Sequence, residues 1–173
     1  MERLLIAVTG PVGAGKTSFI RAVSEIDPVD TDRRATDETA LLKQTTTVAL
    51  DFGRITLNPG QVVYLYGTPG QVRFDFMWDI LIRKVHATVL LIDAHRPQNF
   101  RSGRQLLTFM KQRSSLPMVL GVTHTDCVDA WEPEDVALAL GLVNQSKRPP
   151  ILRVNADNPS SVAQCLITLL ERI

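Results

Sequence analysis

The chain has 173 residues, 45% of them hydrophobic and 21% charged, with a formal net charge of +1. That is one domain's worth of ordinary globular composition, long enough to bury about two thirds of its unfolded surface. The near-neutral charge gives no reason to expect a nucleic acid, or a membrane surface recognised through bulk charge. Two cysteines, Cys127 and Cys165, have no paired spacing and read as free thiols of a reducing cytosol.

The opening stretch MERLLIAVTG carries a hydrophobic run too short to span a bilayer, so it reads as a first strand, Leu4–Thr9, and not as a signal peptide. Glu2 excludes a myristoylation start, and the closing LLERI offers no cysteine for prenylation, so direct membrane insertion is not expected.

Gly10-Pro11-Val12-Gly13-Ala14-Gly15-Lys16-Thr17 follows at once and fits G-x-x-x-x-G-K-[ST], between that strand and a helix expected over Lys16–Ile26. The glycines let backbone N–H groups turn inward around phosphates, and the helix N-terminus adds its partial positive charge. Lys16 is then the residue that bridges the β- and γ-phosphates, Thr17 supplies a hydroxyl to magnesium, and Ser18 completes the nucleotide-binding run. Without ligand, Lys16 is expected to face solvent and touch no core. The four fixed positions would coincide by accident in under about one chain in a hundred.

Asp27–Gln44 is polar and weakly periodic, a long loop of the kind that is functional or disordered. Further strands are expected at Val48–Ile55, Val62–Tyr66, Thr88–Ile92, Val119–Thr123 and Ile151–Val154. Asn58-Pro59-Gly60 is a turn signal that makes the second and third strands a hairpin. Helices are expected at Phe74–Val85, Arg101–Gln112, Pro133–Leu140 and Ser160–Arg172. In the last, Val162, Leu166, Leu169 and Ile173 share one face. No internal repeat interrupts the alternation, which predicts a mostly parallel sheet covered on both faces.

Three later stretches carry a family resemblance. Thr45-Thr46-Thr47-Val48-Ala49-Leu50-Asp51-Phe52 resembles the end of switch I in Ras, Rab and Arf proteins. Gly67-Thr68-Pro69-Gly70-Gln71 resembles their switch II entry, D-x-x-G-Q, and Thr123-His124-Thr125-Asp126 resembles the base-reading N-K-x-D. Order and spacing match over essentially the whole chain. The T-P-G-Q wording is similar to bacterial MglA-type GTPases and to small GTP-binding proteins encoded beside Roadblock-fold proteins. The resemblance implies one α/β domain over 1–173, a P-loop NTPase with a Ras-like six-stranded, mostly parallel sheet, one antiparallel edge strand and helices on both faces. It implies a cytoplasmic GTP/GDP switch that uses Mg²⁺ and hydrolyses GTP slowly.

Carried over by position, Thr47 joins Thr17 as a magnesium ligand, the Gly70 N–H touches the γ-phosphate, and Gln71 orients the attacking water beside Lys16. Asp126 accepts from guanine N1–H and N2–H₂, and at roughly 1.5–3 kcal/mol per bond that is worth about two to four decades over adenine. Thr123 and His124 stand beside it, and Asn155-Ala156-Asp157 occupies the family's S-A-K position, with the Ala156 N–H facing guanine O6. Asp126 also fits a plain turn or helix cap, and Asn155–Asp157 a plain turn before a helix.

Three departures imply a slow enzyme. Gly67 replaces the aspartate that holds a magnesium-bound water, with Asp93 and Asp51 as possible substitutes and Asp93 also readable as a cap. Thr123 and His124 replace Asn and Lys, so a histidine ring stacks where a lysine stem would lie. Val12 puts a branched side chain near the γ-phosphate.

Met77, Ile80, Leu81 and Val85 read as a core face, which leaves some of Phe74, Phe76, Met77 and Trp78 pointing outward as a partner surface. The resemblance makes a Roadblock-type regulator the first candidate. Arg33, Arg34 and Arg73 are candidate arginine fingers. The competing readings are a P-loop small-molecule kinase, which lacks its arginine-rich lid here, and a non-hydrolysing nucleotide-dependent scaffold.

Overall fold

The computed structural model describes residues 2–27, 51–68 and 75–173. Thr47, Gly70, Gln71, Arg33, Arg34, Arg73 and Phe74 lie outside the described residues, as do the loop after Asp27 and the first three residues of the Val48–Ile55 strand.

Six strands form one sheet: β1 (Glu2–Thr9), β2 (Asp51–Asn58), β3 (Gln61–Gly67), β4 (Ala87–Asp93), β5 (Met118–Thr123) and β6 (Ile151–Arg153). Their order is β2-β3-β1-β4-β5-β6, with only β2 antiparallel to its neighbour. The hairpin turn falls where Asn58-Pro59-Gly60 predicts it, with Asn58 Oδ1 accepting from the Gly60 N–H at 3.0 Å and Asn58 paired with Gln61.

Period-two alternation sends the strands' side chains to two different layers. Leu4, Ile6 and Val8 of β1 meet Phe19 and Ile20 of α1 (Lys16–Val23). Val162, Leu166 and Leu169 of α5 (Pro159–Leu170) pack into the same layer. Leu5 and Ala7 face the opposite layer with Tyr64 and Tyr66 of β3. There they meet Trp78 and Leu81 of α2 (Asp75–Leu81) and Met110 of α3 (Phe100–Arg113). Val136 and Ala137 of α4 (Pro133–Ala139) cover Leu120 and Val122 of β5. Each such side chain taken fully out of water contributes about 1.5–3 kcal/mol, which is what clamps the sheet between its helices.

Four local expectations are corrected. The first helix stops at Val23 and not at Ile26, because Ser24 turns to extended backbone and its hydroxyl takes over, accepting from the Arg54 N–H at 3.2 Å and donating to Ile26 O at 2.7 Å. Ile173 does not extend the apolar face of the last helix, since that helix ends at Leu170 and Ile173 is exposed. Trp78 is buried against β3, which removes it from any outward aromatic surface. A 3₁₀ turn at Pro97–Asn99, missed in the sequence, leads into α3.

The topology has one consequence for everything below. Parallel strands end on the same rim, so the stretches after Thr9, Gly67, Asp93, Thr123 and Arg153 converge, as ligand sites do in open α/β sheets. The one antiparallel strand brings its first residue there as well: Asp51 pairs with Gly67.

Candidate functional site

The loop between β1 and α1 is built against the sheet. Gly10 runs so close to β4 that a Cβ there would sit 2.2 Å from Leu91 O, so no side chain fits and the chain passes flush over the strand ends. Pro11 and Ala14 are buried, whereas Val12 stands at the lip, 61% exposed. Gly13, Gly15, Lys16, Thr17, Ser18 and His124 line a cleft of about 300 Å³.

Lys16 differs from its expected solvent-facing state. Its ammonium is largely covered and donates to Gly10 O at 2.7 Å and Pro11 O at 2.8 Å. Burial lowers its pKa from 10.5 to about 8, with attraction to the Asp51 carboxylate working in the opposite direction. The loop carbonyls thus hold the charge that phosphate oxygens would otherwise take.

Of the two candidate substitutes for the carboxylate missing at Gly67, Asp51 is the one that meets the phosphate loop. Thr17 Oγ1 donates to Asp51 Oδ2 at 2.5 Å. A Cβ added at Gly67 would lie 2.9 Å from Asp51 Cβ, 3.0 Å from Ile20 Cδ1 and 3.4 Å from Asp51 Oδ2. Asp51 and Ile20 therefore crowd the volume that a side chain at Gly67 would need, and one there would have to push Asp51 aside. Thr17 lines the cleft and Asp51 stands against its hydroxyl, and such hard oxygen donors suit a small divalent cation that takes its remaining ligands from phosphates and water.

Asp93 is committed elsewhere. Its carboxylate, 4% exposed, accepts from the His95 N–H at 2.8 Å, and Oδ2 lies 3.3 Å from both Arg96 Nε and His124 Nδ1. That extends the cap reading to a small hub.

Thr123 sits behind the cleft and not in its wall. It is 1% exposed, and its hydroxyl donates to Ala14 O at 2.8 Å, tying the end of β5 to the phosphate loop. His124 adopts a left-handed conformation, φ 56°, which turns the chain outward at the rim. Asp126, exposed beyond it, has no hydrogen-bond or ion-pair partner among the described residues, so it caps nothing there. Asn155 Oδ1 accepts from the Asp157 N–H at 3.1 Å, and Asn158 caps α5, as the plain-turn reading requires. The same turn nonetheless lies at the site, because Ala156 Cβ would be 3.2 Å from a Cβ added at Gly15.

The structure therefore brings Gly10 to Ser18, Asp51, Gly67, Thr123, His124, Asp126 and Asn155 to Asp157 onto one rim. Arg96 is a residue that sequence reading missed: it follows β4 in a stretch with no motif, and only the fold puts it beside Gly13.

This loop and sheet define a P-loop nucleotide-binding protein of Ras-like fold. The chain matches the family described as conserved hypothetical ATP-binding proteins over residues 26–172, and it belongs to that family. That match begins beyond the phosphate loop, so the loop is separate testimony. The solved small GTPase Arl6 (BBS3) of Trypanosoma brucei, with the nucleotide analogue GppNp bound, superposes with a TM-score of 0.69. The superposition covers 99% of this chain and 97% of that one at 16% sequence identity, a likeness of fold. An uncharacterized protein of Methanocaldococcus jannaschii is 24% identical over 83 residues, 48% of this chain and 52% of the relative. The match thus spans about half the length of that curated relative. No helix among the described residues is long and apolar enough to cross a membrane.

Proposed function

We propose that the chain is a guanine-nucleotide switch that binds GTP and GDP with Mg²⁺ and hydrolyses GTP slowly, helped by a protein partner. The observation that carries the guanine reading is Asp126. It is an exposed carboxylate with no partner among the described residues, one turn beyond a strand end that is itself fastened to the phosphate loop. A carboxylate so placed suits the paired N–H donors of guanine, which adenine lacks.

Titration with GDP and ADP should give GDP at least tens of times tighter, and Asp126→Ala should narrow that gap. Equal affinities would favour a second reading, an adenine-nucleotide protein, which membership of a family described as ATP-binding supports.

For the metal, Thr17 is the direct ligand, with Thr47 as its partner in the triphosphate state and Asp51 the carboxylate behind it. These residues would hold the Mg²⁺, which would supply charge neutralisation on the nucleotide's phosphates. Gln71 orients water in this reading, with Gly70 and Lys16 on the γ-phosphate. His124 stacks on the base, and the Ala156 N–H meets guanine O6. A single-turnover assay on the protein alone should give a rate at or below roughly 10⁻⁴ per second, the scale of an unassisted Ras-type site. Gln71→Leu should reduce whatever rate exists. An unchanged rate would move the water-positioning role to another residue. The bacterial MglA-like and Roadblock-associated setting, and a cytoplasmic location, belong to the same proposal.

A further inference from the structure

Arg96 is held in an unusual place for a surface arginine. Its Nη1 lies 3.0 Å from where a Cβ at Gly13 would be, so the guanidinium rests directly against the phosphate loop. Its Nε is anchored on the buried Asp93 carboxylate at 3.3 Å. The same carboxylate oxygen lies 3.3 Å from His124 Nδ1, and His124 lines the cleft together with Gly13. The loop that carries Arg96 is itself fastened: Asn99 Nδ2 donates to Val12 O at 3.5 Å, and the Ala94 N–H donates to Thr123 O at 2.9 Å. The guanidinium is half exposed, with one edge spent on Asp93 and another turned to the loop.

We propose that Arg96 contacts the polyphosphate of the bound nucleotide from outside the loop, and that Asp93 is the positioning residue that holds it there. A guanidinium is suited to this, since it is always charged and its planar fork matches phosphate oxygens while Nε remains on the carboxylate. The ligand class is a nucleoside di- or triphosphate of either base, so the inference rests on a nucleotide occupying the cleft but not on its being guanine.

The test follows dissociation of fluorescent GDP and ADP from the full chain, comparing the unaltered protein with Arg96→Ala and Arg96→Gln over a range of salt. Glutamine keeps a donor toward Asp93 but no charge, so it separates a lost phosphate contact from a loosened loop. Both variants should release each nucleotide about tenfold faster. The GDP-to-ADP ratio should stay unchanged, and the salt dependence should flatten because one screened charge pair is gone. Asp93→Asn should give part of the same loss with Arg96 still present. Rates unchanged in Arg96→Ala and Arg96→Gln, with the unaltered protein binding normally, would overturn the inference and leave the proposed function standing. A faster release in Arg96→Ala with the salt slope intact and full rescue by Arg96→Gln would make Arg96 a structural prop, which also overturns it. An unaltered protein that binds neither nucleotide overturns both.

Discussion

Lys16→Ala should weaken GDP binding by about thirty- to a thousand-fold while the fold survives. The ammonium meets two phosphates at roughly 1.5–3 kcal/mol each, but it must first leave Gly10 O and Pro11 O, so a net loss of about 2–4 kcal/mol is expected. The fold survives because removing a largely buried charge offsets the two hydrogen bonds that disappear with it. Titration calorimetry gives the affinity, and circular dichroism gives the fold; an unfolded variant would make Lys16 structural. The same residue predicts a pH dependence. In the free protein its pKa stands at about 8, lowered by burial, and phosphate raises it on binding. Affinity from this group is therefore complete below pH 8 and declines above it, by at most about tenfold per pH unit, until the pKa of the bound state is passed. Guanine's own N1–H also titrates in alkaline solution, so the profile is taken as the difference between the unaltered protein and Lys16→Ala. A flat difference profile between pH 7 and pH 9.5 would show that the ammonium does not change its protonation across that range on binding.

The second large effect concerns Asp51. Asp51→Ala should cost about ten- to a hundredfold in magnesium affinity, read as a collapse of the difference between nucleotide release in excess Mg²⁺ and in a chelator. Asp51→Asn should fall between the two. Gly67→Asp made alone should destabilise the protein by about 1–3 kcal/mol, since its Cβ would press on Asp51 Cβ at 2.9 Å and on Ile20. The informative variant is the double exchange, Asp51→Gly with Gly67→Asp, which returns the carboxylate to the neighbouring strand. It should recover both stability and magnesium-dependent retention. A double variant no better than Asp51→Ala would mean that the carboxylate serves Thr17 only as a hydrogen-bond partner.

What the sequence made legible was whatever is written along one strand-to-helix passage. Gly10 to Thr17 carry their chemistry in consecutive residues, and the Asn58–Gly60 turn fixes its hairpin locally, so both emerge without knowledge of the fold. Asp51 and Asp93 were both in view as substitutes for the missing carboxylate. Choosing between them needed the register that pairs Asp51 with Gly67, a long-range quantity that no local pattern encodes. Arg96 was invisible for the same reason, because its meaning lies in a contact with Gly13 across 83 positions of chain. Thr123 stands in a base-reading motif, and only the fold shows that its hydroxyl ties the end of β5 to Ala14 O. Helix ends were misjudged where one side chain decides them, as Ser24 does after Val23. The sequence leaves Trp78 undecided among the residues from Phe74 to Trp78, because helical spacing alone does not say how deep the facing sheet layer reaches.

The crowding between Asp51 and a side chain at Gly67 also bears on how such a site is inherited. A carboxylate could stand on either strand of the hairpin, at Asp51 or at its paired position Gly67, and single substitutions do not connect the two placements smoothly. A lineage that gains the second acid before losing the first must crowd two like charges and two side chains into one volume. One that loses the first before gaining the second passes through a form without either. Both routes cross a valley, so descendants should keep whichever strand their ancestor chose, and the pair of residues should change together or not at all.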